Sequence, residues 1–146
     1  MKIFKKNINF ETKKQTDLID LTHEIQEVVD VSGIREGQVL VYCPHATMSV
    51  MVNHNEPMLL RDFTNTFHKL VPDDVQYSHD LFEIKKGRKS DGRSNGHSHC
   101  KAILLRVSET LPIEKGKMMI TDKQNIFAVD FDGPRKRDLI IQVIGI

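Results

Sequence analysis

The sequence predicts an α+β fold: a single domain over residues 1–146, with a largely antiparallel β-sandwich and two main helices inserted in the N-terminal half. Three observations predict it. The chain of 146 residues has the size of one domain. Its predicted strands come in runs, which differs from the alternation of βαβ units. No repeat and no linker rich in proline or glycine divides the chain.

The first third of the chain contains two predicted strands around one helix. Residues 2–10 are predicted as a strand with an irregular apolar face. Asp17 is a candidate cap for a helix that ends at Gly33, because glycine readily adopts the left-handed conformation of a helix end. The apolar residues at helical spacing between them are Leu18, Leu21, Ile25, Val28 and Val29. The short β-branched segment 38–43 is predicted as a strand that Pro44 interrupts.

The second helix is predicted after an alternating strand. Residues 47–54 alternate in the way that is typical of a strand with two different faces. A helix is predicted to begin at residues 55–57, because proline is accepted in the first helical turn, and to end at Pro72. Its buried face is predicted to contain Leu59, Phe63, Phe67 and Leu70.

The second half of the chain opens with a long polar segment and continues as strands. Residues 73–98 are weakly patterned and include the basic run 85–89, which we interpret as part of a long loop or a lid. Asp132-Gly133-Pro134 favours a turn between the last two strands. The strands predicted after the loop cover residues 100–107, 110–113, 118–121, 125–132 and 139–144.

Composition and charge exclude several classes of protein. Lys and Arg number 21 and Asp and Glu number 20, so a general binder of nucleic acid or anionic membranes is not favoured. No apolar run is long enough to span a membrane. Cys43 and Cys100 are too few for a disulfide scaffold, and we interpret both as small buried hydrophobic residues. We expect a cytoplasmic protein with no nucleic-acid partner and no membrane partner.

Histidine carries the strongest chemical signal in the sequence, with seven residues against no tryptophan. His97 and His99 are two residues apart, so in an extended segment both rings point to the same side. The pair indicates a metal site or an acid–base pair, and two exposed loop histidines are the alternative. His45 follows Pro44 at the end of a strand, where functional sites are often built.

Two carboxylates are further candidates. Asp62 lies beside the apolar stripe of the second predicted helix, where a partly buried carboxylate needs a partner. It is a candidate acceptor for a ligand histidine or a candidate base, and a helix-surface acid is the alternative. His79 precedes Asp80, and a carboxylate near an imidazole can fix its tautomer, although adjacent residues seldom pair in this way.

An ordered set of short motifs spans nearly the whole chain and resembles the YjbQ-like family. The motifs are Pro44-His45-Ala46-Thr47, Asn55-Glu56-Pro57 with Asp62, Tyr77-Ser78-His79-Asp80, Asn95-Gly96-His97-Ser98-His99 and Asp130-Phe131-Asp132-Gly133-Pro134-Arg135. The resemblance implies a compact α+β sandwich that assembles as a homotrimer. It also implies a histidine-rich pocket near the subunit contacts that takes a divalent metal.

The resemblance implies an activity as well. The family is labelled a secondary thiamine-phosphate synthase, which joins a pyrimidine-methyl diphosphate to a thiazole phosphate and releases pyrophosphate. This makes the chain a candidate transferase, with a metal-dependent hydrolase as another enzymatic reading. The substrate is then a small phosphorylated or anionic metabolite. A protein that binds a metal or a metabolite without turnover is the alternative function.

Individual roles follow from matching the family residue by residue. His45, His79 and His99 match its histidines and are the predicted ligands of a divalent metal, zinc in the first place and magnesium as an alternative. The predicted catalytic residues are His97, Asp62 and Lys101. His97 is the predicted acid, base or further ligand, and Asp62 is the predicted carboxylate partner of a ligand histidine. Lys101, predicted to share a strand face with His99, would be a cation for an anionic substrate. The predicted substrate-binding residues are Asn55, Glu56, Gln124 and Arg135. Lys123 stands where the family usually has tryptophan, a change that could alter substrate preference.

Overall fold

The computed structural model describes residues 1–85 and 94–146 and confirms the predicted α+β class. The strands form two antiparallel sheets, and helices lie mostly between the fourth and fifth strands. In chain order the elements are β1 (Lys2–Glu11), β2 (Asp17–Asp20), α1 (Thr22–Ser32), β3 (Gly37–Tyr42), β4 (Met48–Asn53), α2 (Pro57–Leu70), α3 (Ser78–Lys85), α4 (Gly96–Ala102), β5 (Ser108–Glu114), β6 (Lys117–Met118), β7 (Asn125–Asp130) and β8 (Lys136–Gly145).

The larger sheet has five strands in the order β1-β8-β3-β5-β6. β1 and β8 pair over ten residues, from Lys2 opposite Gly145 to Glu11 opposite Lys136. Successive side chains point to opposite faces of a sheet, so every second residue of β8 is buried and the residues between them are half-buried. The inner face forms the main core together with α1, through Val39, Val41, Leu139, Ile141, Val143, Ile25, Val28 and Val29.

The smaller sheet has the order β2-β7-β4 and is covered on both faces. On β7, Ile126 and Ala128 point into the main core, whereas Phe127 and Val129 point into a second core beneath α2. Phe67 of α2 meets Phe131 edge-on in this second core, with ring centroids 5.2 Å apart. The two sheets therefore form a sandwich, and α2 packs on the outside of the smaller sheet.

The ends of the two main helices differ in how well the sequence predicts them. The predicted start of α1 at Asp17 is wrong, because residues 17–20 pair with β7 as a strand. The helix begins at Thr22, whose backbone amide and hydroxyl both donate to Asp20 Oδ1. Its predicted end at Gly33 is confirmed, with the left-handed φ of 68°. The start of α2 is also confirmed, because Pro57 occupies its first turn.

The predicted strand over residues 100–107 is wrong. Residues 100–102 are instead the last residues of the helix α4, which ends at Ala102. A turn follows, in which Ile103 is 81% exposed. Tertiary partners explain the difference, because Ser98 and Lys101 are spaced by one helical turn and both are fully buried. The Ser98 hydroxyl donates to the Phe131 carbonyl at 2.6 Å, and the Lys101 ammonium contacts the Asp73 carboxylate.

The long polar segment after α2 contains a helix that the sequence does not predict, α3. Residues 86–93 of the predicted loop or lid lie outside the described residues. The predicted strand over residues 118–121 shortens to β6, which pairs with β5 through two residue pairs. No helix in the described ranges combines the length and the apolar character that a membrane crossing needs.

A buried ion pair joins the two sheets beside the candidate site. Asp130 ends β7 with no exposed surface, and the Arg137 guanidinium of β8 binds both of its carboxylate oxygens, at 3.0 and 2.9 Å. Thr12 donates to the same carboxylate at 2.8 Å, and Arg137 also donates to Thr47 at 2.8 Å. The network fixes the start of β8 against the segment that follows His45.

Candidate functional site

Three histidines surround two cavities that share one ring, that of His99. His45 and His99 line a cavity of about 450 Å³ between the end of β3 and α4, together with apolar side chains that include Ile103 and Val107. His79 and His99 line a cavity of about 350 Å³ between α3 and α4. His99 therefore lines both cavities, one together with His45 and the other together with His79.

His45 is held by a carboxylate. After β3 ends, Pro44 turns the chain, and His45 Nε2 lies 2.8 Å from Asp138 Oδ1 and 3.1 Å from the Asp138 carbonyl oxygen. Asp138 lies on the outer face of β8, and the Asn7 amide donates to its second carboxylate oxygen at 3.1 Å. A carboxylate that accepts from one ring nitrogen fixes the tautomer and leaves Nδ1 as the acceptor of the ring.

His99 is a neutral imidazole beside a second one. The His79 and His99 ring centroids are 4.8 Å apart, with the planes at 73°. Burial lowers the pKa of His99, the neighbouring His79 lowers it further, and a hydrogen bond to the Ala46 backbone partly offsets both effects. A histidine in this state carries a lone pair at neutral pH, so it can accept a proton or bind a cation.

His97 faces the opposite side of α4. Lys101 Nζ lies 3.0 Å from His97 Nδ1 and contacts Asp73, while His97 Nε2 lies 3.1 Å from the Gln15 side-chain amide. The prediction that His97 and His99 point the same way from an extended segment is wrong. In a helix, residues two apart are rotated by about 200°. The prediction that Lys101 shares a strand face with His99 is wrong for the same reason.

Comparison with known proteins decides the family. The YjbQ family, described as "UPF0047 protein YjbQ-like", matches residues 6–146. The chain belongs to this family. A UPF0047 protein of Archaeoglobus fulgidus is 35% identical over 137 residues, which cover 94% of this chain and 98% of that protein. A UPF0047 protein of Methanothermobacter thermautotrophicus is 32% identical over 145 residues, which cover 99% and 94%.

Solved structures agree with the fold of this YjbQ-like chain. A YbjQ-like protein from Sulfolobus solfataricus superposes with a TM-score of 0.89 at 27% identity and covers 99% of both chains. A yjbq/upf0047 family protein from Clostridium acetobutylicum gives 0.83 at 30% identity and covers 95% of this chain and 99% of that chain. The resemblance is thus confirmed for family and fold, and the thiamine-phosphate synthase activity stays a prediction.

The other predicted site residues of the YjbQ-like chain lie outside both histidine cavities. Asp62 is exposed on α2. The Asn55 amide donates to Asp20 Oδ2 at 2.8 Å, and the Glu56 carboxylate caps α2 by accepting from two backbone amides. Exposed Gln124 accepts from the Thr121 amide at 3.1 Å, and Arg135 binds the buried Asp132 at 2.8 Å. Their predicted roles with substrate stay predictions.

The predicted metal ligands are divided between the two cavities. In residues 1–85 and 94–146, no three His, Cys, Asp or Glu side chains are grouped so that they could hold a metal ion. His45 shares a cavity with His99, and His79 shares a different one. One chain therefore offers paired imidazoles rather than a closed three-ligand set.

Sequence reasoning missed two acidic partners of the site. Asp138 holds His45, and Asp73 binds the helix that carries His99. Asp138 is visible in retrospect as a polar residue in a strongly alternating strand, on the face opposite Leu139 and Ile141. Asp73 follows Pro72 in a polar segment, and no local pattern distinguishes it.

We expect acidification to destabilise the fold, because burial lowers the pKa of both His97 and His99. The unfolded chain binds protons at these residues below about pH 6.5, whereas the folded chain does so only at lower pH. The stability that neutral His97 and His99 contribute is therefore fully present above about pH 6.5. It decreases as the pH falls toward the pKa values of the two residues in the folded chain. Urea midpoints at pH 7 and about pH 5.5 measure this. The variant His99→Gln should lose less stability than the wild type, and an equal loss would contradict the prediction.

Proposed function

We propose that this YjbQ-like protein is an enzyme that acts on a small phosphorylated or anionic metabolite, with His45 and His99 as proton carriers. One observation carries the proposal. Two imidazoles in different environments, one anchored by Asp138 and one kept neutral by burial, open onto the same cavity of about 450 Å³. A cavity of this size suits a small molecule, and paired proton-transfer groups are typical of acid–base catalysis.

The environment of each ring suggests its role. The Asp138 carboxylate orients His45 and compensates the positive charge that this ring acquires when it holds a proton. Neutral His99 is suited to accept a proton, because the pKa of a base must lie below the working pH for it to be unprotonated. His45 is therefore the proposed acid and His99 the proposed base.

The reaction implied by the resemblance is the first to assay. In that transfer the thiazole nitrogen attacks the methylene carbon of the pyrimidine, a C–N bond forms, and the C–O bond to the diphosphate breaks. Pyrophosphate leaves with the bonding electron pair, and protonated His45 assists by giving it a proton. The attacking thiazole nitrogen carries no proton, so this transfer requires the acid and not the base. A hydrolase would use water as the nucleophile in the same cavity, with His99 accepting its proton.

The surface around the cavity supports the proposed homotrimer. On the outer face of the larger sheet Ile140 and Ile144 are only half-buried, and Tyr42 is 39% exposed. Ile103 and Val107, which line the His45 cavity, are 81% and 56% exposed. Contiguous exposed apolar surface marks interaction sites, so association would cover it and place the cavity at a subunit boundary.

Light scattering tests the assembly. We expect a mass of three chains of 16.8 kDa at micromolar concentration. Ile103→Asp should shift the mass toward one chain, because an aspartate in an apolar interface loses its water without gaining a partner. As a control, Val31→Asp changes an exposed apolar residue on α1 and should keep the trimer. A wild-type mass of one chain would contradict the proposed assembly.

The second candidate function is cation binding without turnover, and the contact between His79 and His99 favours it. Two imidazoles this close, one of them neutral at pH 7, suit a zinc ion better than magnesium, which prefers oxygen ligands. Further ligands would come from a bound metabolite, from water or from a neighbouring subunit.

One experiment separates the two functions. Purified protein is assayed for thiamine-phosphate formation, with and without added zinc, and its zinc content is measured after dialysis. Turnover that is lost in His45→Ala and kept in exposed His23→Ala supports the enzyme. Stoichiometric zinc without turnover supports the binding protein. Absence of thiamine-phosphate formation, of phosphate-ester hydrolysis and of bound zinc would overturn both proposals.

A further inference from the structure

Lys101 has an unusual position for a lysine, because its side chain has no exposed surface. Its ammonium contacts the carboxylate of Asp73, whose side chain is 33% exposed, and lies 3.0 Å from His97 Nδ1. An ammonium can only donate, so Nδ1 of His97 accepts from it. Neither Lys101 nor Asp73 lines a histidine cavity, so neither takes part in the proposed chemistry.

We propose that Lys101 and Asp73 are a positioning pair that holds His99 of α4 against His79 of α3. The catalytic meaning of this pair rests on the proposed function, whereas the geometric claim does not. Lys101 lies two residues after His99 on the same helix, and on the opposite side of it. Asp73 lies in the connection between α2 and α3, five residues before α3 begins.

The short length of α4 explains why such a pair is needed. The helix has seven residues, and no side chain caps its N-terminus. Helices this short are not stable by themselves, so tertiary contacts must define the orientation of α4. The contact from the Lys101 ammonium to Asp73 joins α4 directly to the connection leading into α3, and His97 Nδ1 of the same helix lies 3.3 Å from the same Asp73 oxygen.

Two further contacts fix the other end of the same helix. The Gly96 amide donates to Asp80 Oδ1 at 3.0 Å, which ties the start of α4 to α3. A Cβ at Gly96 would lie 2.5 Å from the Tyr77 Cβ, so the two segments approach as closely as glycine permits. With the Lys101 contact at the other end, α4 is held against the α3 region at both of its ends.

Stability alone is a poor explanation for the ion pair. Removing two charges from water is costly, and an apolar pair of similar size is often equally stable or more stable. What an ion pair adds is directional: it specifies one arrangement of α4 relative to α3. That arrangement is the one in which the His79 and His99 rings lie edge to face at 4.8 Å.

The test uses the double variant Lys101→Met/Asp73→Leu, which replaces the ion pair with apolar side chains of similar length. We expect it to fold with a urea midpoint near that of the wild type, and to lose the NOE between the ring protons of His79 and His99. Lys101→Arg, which keeps the charge, should retain the NOE. A folded double variant that keeps the NOE at wild-type intensity would overturn the proposal.

A single variant decides the question if the double variant does not fold. Asp73→Asn keeps the shape of a partly exposed side chain and removes its charge. Loss of the ring NOE in this variant supports the positioning pair, and an unchanged NOE overturns it. Because the NOE does not depend on turnover, a protein without activity would refute the proposed enzyme and leave this test intact.

Discussion

Replacing His99 with alanine should lower the rate of phosphate-ester hydrolysis by about 100-fold or more, because positioned proton transfer from the attacking water contributes roughly 10²–10⁴-fold to enzymatic rates. His99 is the ring shared by both histidine cavities, so its loss removes the proposed base and separates His45 from His79. The folded structure should persist, because the residue is half-buried on a short helix and adds little to either core. Initial rates of phosphate-ester hydrolysis and urea unfolding measure the two effects separately.

Two control variants test whether the loss of activity is specific to His99. His23→Ala changes an exposed histidine that pairs with Glu27 on α1, and it should leave both rate and stability unchanged. Ile25→Ala shortens a side chain that is buried in the main core and lines neither histidine cavity, so it should lower the melting temperature and affect the rate only through unfolding. If His99→Ala retains the wild-type rate, or if it unfolds while its folded fraction stays active, the assigned role of His99 is wrong.

Replacing Arg137 with alanine should be the most destabilising single change considered, at about 3–5 kcal/mol. The substitution leaves the fully buried Asp130 carboxylate without the cation that binds both of its oxygens. It also removes the link from β8 to Thr47, and so loosens the segment that presents His45. Urea unfolding of the purified variant measures the loss.

A surface arginine provides the comparison. Arg106 pairs with Glu109 at 3.3 Å, and 76% of its side chain is exposed, so Arg106→Ala should cost less than about 1 kcal/mol. A double variant, Arg137→Met/Asp130→Leu, should recover part of the stability lost in Arg137→Ala, because it removes the buried charge as well. A cost below about 1 kcal/mol for Arg137→Ala would contradict the assigned role of Arg137 as the essential partner of Asp130.

Elements whose pattern is local were predictable from the sequence. The alternation in residues 47–54, the helical spacing from Leu59 to Phe67, and Gly33 at a helix end each follow from the period or the end of a single element. Leu70 is an exception, because it was predicted on the buried face of α2 and is 64% exposed. The helix α4 was not predictable in this way, because the mostly apolar run of residues 100–105 has the composition of a strand. What makes this segment helical is the burial of Lys101 against Asp73, a residue 28 positions away.

The candidate site, too, was predictable where the signal is local and not where it depends on distant residues. The histidines were found from residue type and from the ordered motifs, and the structure brings His45 and His79 each beside His99. The side to which His97 points was missed, since it depends on helical rather than extended backbone. The pairing of His45 with Asp138 spans 93 residues and depends on the register of β8, which no local pattern encodes.

The most direct test of the central claim is the response of the imidazole ¹⁵N resonances to pyrophosphate, the product of the proposed transfer. We expect saturable shifts for His45 and His99, with a smaller shift for His79, while exposed His23 stays unchanged. Binding that shifts other histidines and leaves the His45 and His99 resonances unchanged would place the ligand elsewhere and contradict their proposed roles.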